Sequence, residues 1–178
     1  MINRFVLLCA IGWSVNVGYS AAAEDTPVVG WYLGVSAGVT APKSTNFANA
    51  QSWNYDAGYR FENFSSELTY SYLGRFRHDN AAATDVRVWG ATLAVLPRFE
   101  VNSWFALEGL FGVQRWRADS QLLGKHFGRD EGTSATFGAG MVCQIKGGVA
   151  VSLRWQRYNN ISGTDLSQSA LGIQYVFR

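Results

Sequence analysis

Between residues 30 and 177 hydrophobic side chains return at every second position, in run after run. Because a β-strand turns successive side chains to opposite faces, this period of two predicts strands with two different environments. The first run sets Trp31, Leu33, Val35, Ala37 and Val39 against Gly30, Tyr32, Gly34, Ser36 and Gly38, and the second sets Trp53, Tyr55, Ala57, Tyr59 and Phe61 against Ser52, Asn54, Asp56, Gly58 and Arg60. The pattern recurs around residues 66–72, 89–99, 105–114, 134–145, 149–156 and 170–177, which makes eight strands.

The connections alternate in length. Longer ones at Ala41 to Ala50, Arg75 to Asp85, Ala118 to Gly132 and Asn159 to Gln168 alternate with tight ones at Glu62-Asn63-Phe64, Glu100 to Ser103 and Lys146-Gly147-Gly148. Long loops at one end and short turns at the other are the mark of an up-and-down antiparallel sheet.

The choice of inward face decides the class. The smaller face is mostly Gly, Ala, Ser and Thr, too modest for a wall that meets water, while the other carries Trp, Tyr, Phe and Leu, too bulky for an eight-stranded interior. The bulky face is therefore expected outside, against lipid, and closure removes the unpaired edges that lipid could not satisfy. A strand of about ten residues tilted by about 40° rises roughly 25 Å, the height of an outer-membrane apolar band. The reading is all-β, an eight-stranded antiparallel up-and-down transmembrane β-barrel. Trp31, Tyr59, Phe61, Tyr72, Trp89, Phe99, Phe105, Trp155 and Phe177, near strand ends, are expected to form its aromatic girdles. A soluble ligand-binding barrel would need the opposite arrangement.

The first residues read differently. Arg4, the apolar stretch from Phe5 to Trp13 and the small residues Ala21-Ala22-Ala23 form the three-part pattern of a secretory signal peptide, residues 1–23, followed by a barrel over 24–178. Its removal leaves Cys143 as the single cysteine, so no internal disulfide is expected, and the thiol faces the lipid side with Phe137 and Met141. With 15 Lys and Arg against 13 Asp and Glu in 178 residues, the chain has no field suited to nucleic acid.

Five charges fall on the inward face: Arg60, Glu67, Arg98, Glu108 and Arg154, with Asp56 nearby. Placement across the tight turns predicts two cross-strand pairs, Arg60 with Glu67 and Arg98 with Glu108, forming a polar plug. A gated ion path is the alternative use of the same charges. An enzyme acting on lipid A would need a nucleophile with a base, but His78 and His126 sit in long loops outside any Ser/His/acid pattern, so no catalytic residue, metal or cofactor is expected. The loop residues Arg75, Phe76, Arg77, Arg117, Lys125, Phe127 and Arg129 could meet lipopolysaccharide phosphates or host surfaces.

Several segments together resemble the OmpA-like eight-stranded outer-membrane barrels: Gly30-Trp31-Tyr32-Leu33-Gly34, Gly58-Tyr59-Arg60-Phe61, Glu67 to Arg75, Trp116-Arg117-Ala118-Asp119, Gly124-Lys125-His126, Asn159-Asn160-Ile161 and Leu171-Gly172-Ile173-Gln174-Tyr175. The resemblance implies a small, mostly solid barrel of the bacterial outer membrane with structural, adhesive or weakly conducting roles. It also implies a surface role through four outer loops, with both termini in the periplasm. Many members add a peptidoglycan-binding domain, which is not expected after Arg178. Glu67 matches the glutamate of a lumenal gate in the best-known member, but the other gate positions are here Leu96, Val142 and Ser152. Leu171, Ile173, Tyr175 and Phe177 resemble the terminal signal read by the barrel-assembly machinery, with Arg178 after the aromatic as a departure.

Overall fold

The computed structural model describes residues 29–43, 47–77, 84–122 and 125–177. The expected leader, His78 and Arg178 lie outside them, as do the side chains of Lys125, His126 and Phe127. Eight antiparallel strands, β1 (Gly30–Pro42), β2 (Ala50–Arg60), β3 (Phe64–Arg77), β4 (Thr84–Asn102), β5 (Phe105–Leu122), β6 (Lys125–Gln144), β7 (Val149–Ile161) and β8 (Thr164–Val176), pair in sequence order. Pairing of β8 with β1, Val35 opposite Ile173 and Gly38 opposite Ala170, closes the barrel. We call the end that holds Gly30 and Val176 proximal and the other distal.

Strand faces follow the period of two. Trp31, Leu33 and Val35 are exposed on the outer wall, while Tyr32 and Thr40 are buried inside. The same holds around the barrel, with Leu93, Phe99, Phe111, Leu171 and Ile173 outside and Ser71, Thr92, Gln114 and Gln174 inside. From Phe105 to Val113 on β5 the outward ladder rises roughly 21 Å at a typical tilt, the height of an apolar lipid band.

Two of the four expected loops, Ala118 to Gly132 and Asn159 to Gln168, are mostly strand, and Arg75 to Asp85 is strand at both ends. β4 begins at Thr84, β5 and β6 continue to Leu122 and from Lys125, and β7 and β8 meet across Ser162-Gly163. The reason is a reversal of the pattern at the top of the lipid band. Above it, Arg75, Arg87, Arg115, Arg117 and Arg157 point outward, while Phe76, Val88, Trp116, Ala118, Tyr158, Ile161 and Leu166 are buried inside. A wall facing water must be polar outside and apolar inside, so the alternation continues with its chemistry inverted. The runs that lost their outward grease thus remained β-structure.

On β3 the reversal is set by a bulge. The register shifts between Tyr72 and Gly74, so Leu73 points in, Arg75 out and Phe76 in. Gly74 sits at φ +122°, where a Cβ would stand 2.5 Å from that of Ala50, so this kink requires glycine.

The interior is likewise not uniformly small and polar. Its distal end is an apolar cluster of Leu73, Phe76, Val88, Trp116, Tyr158, Ile161 and Leu166, with Ala50 and Ala118. A smaller group of Ala94, Leu96 and Leu110 packs nearer the proximal end. Bulky side chains fit an eight-stranded lumen because they alternate with glycines and alanines on neighbouring strands.

Candidate functional site: the lumenal ion network and the barrel wall

Two rows of cross-strand neighbours organise the middle of the lumen. In the first, Tyr32 stands opposite Gly58, and Gly58 opposite Glu67. The phenol lies across the glycine and donates from its hydroxyl to Glu67 Oε2 at 2.7 Å. A Cβ on Gly58 would come within 2.6 Å of the Tyr32 hydroxyl oxygen and 2.4 Å of the Ser66 carbonyl, so the close approach depends on its absence.

In the second row Arg98 faces Glu108, Glu108 faces Gly140, and Gly140 faces Arg154. Arg98 Nη1 donates to Glu108 Oε1 at 2.8 Å, and its Nε lies 3.3 Å from Glu100. Arg154 joins the rows across the barrel, donating to Glu67 through Nη1 at 2.6 Å and Nη2 at 3.1 Å, with Nη2 also 3.9 Å from Glu108. This two-pronged guanidinium–carboxylate contact is the geometry in which a buried ion pair holds best. The Thr69 hydroxyl, 2.9 Å from both Asp56 Oδ1 and Glu67 Oε1, brings Asp56 into the same group.

The expected Arg60–Glu67 pair does not form. Across the β2–β3 turn Arg60 stands opposite Ser65, two positions from the level of Glu67. Arg60, also buried, instead donates to Gln174 Oε1 at 3.3 Å and places its guanidinium 5.4 Å from the Tyr32 ring centre. Arg98 and Glu108 do stand opposite each other. Tyr32, Thr69 and Gln174 were missed by the sequence reading because an uncharged inward residue carries no signal of its partner.

Leu96, Val142 and Ser152 are buried in the lumen. Two residues along the same inward faces of β4 and β7 stand Arg98 and Arg154, so the network is built one inward step from those positions, with Glu108 of β5 supplying its second carboxylate.

Distal to the ions, the Tyr158 hydroxyl lies 3.0 Å from Gln168 Oε1 and 3.2 Å from Gln156 Oε1, Gln168 Nε2 donates to Asn54, and Asn54 Nδ2 donates to Ser36. Trp116 Nε1 donates to Ser134 Oγ at 2.8 Å beneath the apolar cluster. A path along the axis therefore meets two obstacles in series, an apolar one and an ionic one.

On the outer wall Trp31, Tyr59, Phe61 and Phe64 form a chain of ring contacts at the proximal end, near Phe99, Phe105 and Phe177. Toward the distal end Trp53 stacks on Tyr72 with centroids 5.5 Å apart and contacts Tyr55 and Tyr70; Trp89 stands opposite Tyr72, and Trp155 contacts Phe137. Trp53, Tyr55, Tyr70 and Trp104 extend these groups beyond the expected girdle list. Leu171, Ile173, Tyr175 and Phe177 all face outward on or just beyond the last strand, and Cys143 lies opposite Phe105 and Val151 on the same wall.

Beyond the band, Arg75 and Arg77 both reach Asp85, Arg129 Nε donates to Asp119 at 2.9 Å, Arg117 lies 3.4 Å from Glu131, and Arg157 donates to Asp165 at 2.7 Å. The hydrogen bond from Arg75 holds the Asp85 carboxyl below the usual carboxylate range, and those from Arg157 and the Asn160 amide do the same for Asp165. Phe76, expected with the loop arginines, is instead inside.

Several solved structures share this architecture. Neisserial surface protein A superposes with a TM-score of 0.69 at 16% identity, covering 83% of this chain and 97% of that one. Ail, the attachment invasion locus protein of Yersinia pestis, gives 0.62 at 16% identity over 83% and 99%. The N-terminal barrel of Pseudomonas aeruginosa OprF gives 0.52 at 14% identity over 82% and 97%. No curated protein matches the chain significantly. Residues 5–178 match the outer membrane protein beta-barrel domain family, and with its closed eight-stranded barrel and lipid-suited wall the chain belongs to that family of bacterial outer-membrane proteins.

Proposed function

We propose that the protein is a sealed outer-membrane barrel with a structural and surface role, its distal hairpins outside the cell and both strand termini on the periplasmic side. The observation that carries this reading is the lumen, closed in series by the Phe76, Trp116 and Tyr158 cluster and by the Glu67–Arg154 strut. A barrel obstructed twice serves transport poorly, whereas its extended β4, β5 and β6 hold a polar surface clear of the bilayer. Ail, of similar fold, is named for attachment and invasion and was solved with the heparin analogue sucrose octasulfate, which supports adhesion as the kind of role such a surface takes.

Two measurements test this. Reconstituted in a planar bilayer, the protein is expected to give no steady conductance, and regular open-channel steps would overturn the sealed reading. A Glu131→Cys variant, with Cys143→Ala, is expected to react with a membrane-impermeant thiol reagent on intact cells; protection there with reaction only after lysis would reverse the orientation.

A gated small-ion path is the second reading, favoured by Arg154 lying between Glu67 and Glu108. It predicts that Glu67→Ala conducts where the parent protein does not. Lipid A hydrolysis is not part of the proposal, and lipid A from cells with and without the protein is expected to have identical masses. Export by a leader ending at Ala23 predicts Glu24 as the first residue of the mature protein. Assembly through Leu171, Ile173, Tyr175 and Phe177 predicts that removing the terminal aromatic lowers the folded fraction in the membrane.

A further inference from the structure

Along each strand the first outward polar residue above the apolar ladder can be read off, and the eight are unevenly distributed. On β3, β4 and β5 they are Arg75, Arg87 and Arg115, with Arg77 and Arg117 at the next outward positions. On β2, β6 and β8 they are Gln51, Thr133 and Ser169, and on β7 and just past β1 they are Arg157 and Lys43, which share Asp165. Among the described residues three adjacent strands are basic at this level only on β3, β4 and β5, directly above Tyr72, Trp89 and Val113, whereas Arg157 and Lys43 flank a carboxylate of β8 that both reach.

The patch holds more positive charge than its own carboxylates balance. Arg75 and Arg87 face each other across the β3–β4 ladder, an arrangement of like charges that disfavours the sheet unless an anion relieves it. Asp85 is shared by Arg75 and Arg77, Asp119 is held by Arg129 and Glu131 by Arg117. Among the described residues Arg87 and Arg115 have no ion pair. Arg117, opposite Trp89, lies on the diagonal from Arg87, within reach of a group that bridges the two.

The position selects the partner. A soluble anion needs no aromatic and aliphatic wall beneath its site, whereas a lipid with phosphate on its headgroup puts acyl chains against Tyr72, Trp89 and Val113 and its phosphate at the arginines. We propose that the β3–β5 wall binds a phosphorylated glycolipid of the outer leaflet, Arg87 and Arg115 supplying unpaired guanidinium groups and Arg75, Arg77 and Arg117 the surrounding positive field. This rests on the distal end facing outward, but binding can be measured without that orientation.

The test uses the full barrel in nanodiscs of zwitterionic phospholipid, titrated with diphosphorylated lipid A and read by native mass spectrometry. Retention is expected for diphosphorylated lipid A and at most weakly for the same lipid with both phosphates removed; equal retention overturns the proposal. Arg87→Ser with Arg115→Ser, which breaks no ion pair, is expected to weaken retention by about thirtyfold. Lys43→Ser, on the other side of the wall, is expected to leave it unchanged, and the reverse order of effects overturns the assignment. Inorganic pyrophosphate at equal concentration is expected not to displace the lipid, and full displacement would show that a free anion suffices. If binding holds while the thiol labelling reverses the orientation, only the biological setting fails; if labelling holds and binding fails, only the patch does.

Discussion

The Tyr32 hydroxyl donates to Glu67 at 2.7 Å across Gly58, so one strand's missing side chain lets its two neighbours meet inside the barrel. Glu67 also accepts from Arg154 and lies beside Thr69, which makes it the acceptor on which three walls converge. Tyr32→Phe removes one donor and leaves the charge paired, with an expected loss of about 1–2 kcal/mol. Urea unfolding in detergent, followed by heat-modifiable gel mobility, measures it.

Gly58→Ala should cost more than the lost hydrogen bond. Its methyl would meet a backbone carbonyl that belongs to the ladder and cannot turn aside. A loss of about 2–3 kcal/mol is expected. Combining it with Tyr32→Ala should restore little, because the Ser66 contact remains.

Glu67→Ala leaves Arg154 without its principal carboxylate in a poorly hydrated lumen, a change of about 3–5 kcal/mol. Glu67→Gln with Arg154→Met removes both charges and is expected to be more stable than Glu67→Ala alone. A double variant less stable than the single would show that the strut contributes net attraction beyond mutual compensation.

Trp116→Ala opens a cavity in the distal cluster and is expected to lower stability by about 3–5 kcal/mol. Single-channel recording should still show a closed protein, because the ionic obstacle remains below. Faster hydrogen exchange at Tyr158 and Ser134 is the expected local signature.

The rim carboxylates give a signed pH dependence. Asp85 and Asp165 are held below their ordinary value by Arg75 and Arg157. Their contribution is full above the unfolded carboxylate value of about 3.9 and fades as pH falls through the lower folded one. The stability gap between the parent and Asp165→Asn should stay constant from about pH 5 to 8 and narrow below about pH 4. Thermal midpoints in detergent check it, and a gap that narrows with rising pH would contradict the ion pair.

Strand number, order and lipid-facing side were legible because lipid imposes one strict rule on alternate residues from Trp31 to Phe177. The distal walls were not, since above the lipid that rule reverses: Trp116 and Phe76 went unread as interior residues because their outward neighbours are arginines. Arg98 and Glu108 were legible as opposite residues because they flank a short turn. Arg154 and Glu67 lie on β7 and β3, and no local spacing brings such distant strands across a lumen. Arg60 was misassigned by two residues, a full inward step, since the register of the β2–β3 turn depends on geometry that the turn residues do not spell out.

The bulge at Gly74 gives the outer extensions an arithmetic of their own. Because every residue added to a strand turns those beyond it over, hairpins above the lipid can lengthen or shorten without harm only when each arm changes by an even number. A strand that ran through residue 74 with plain alternation and no bulge would carry Arg75 and Arg77 into the interior and set Phe76 in water. Variation among surface hairpins on such a scaffold should therefore come in steps of two, except where a second kink restores parity.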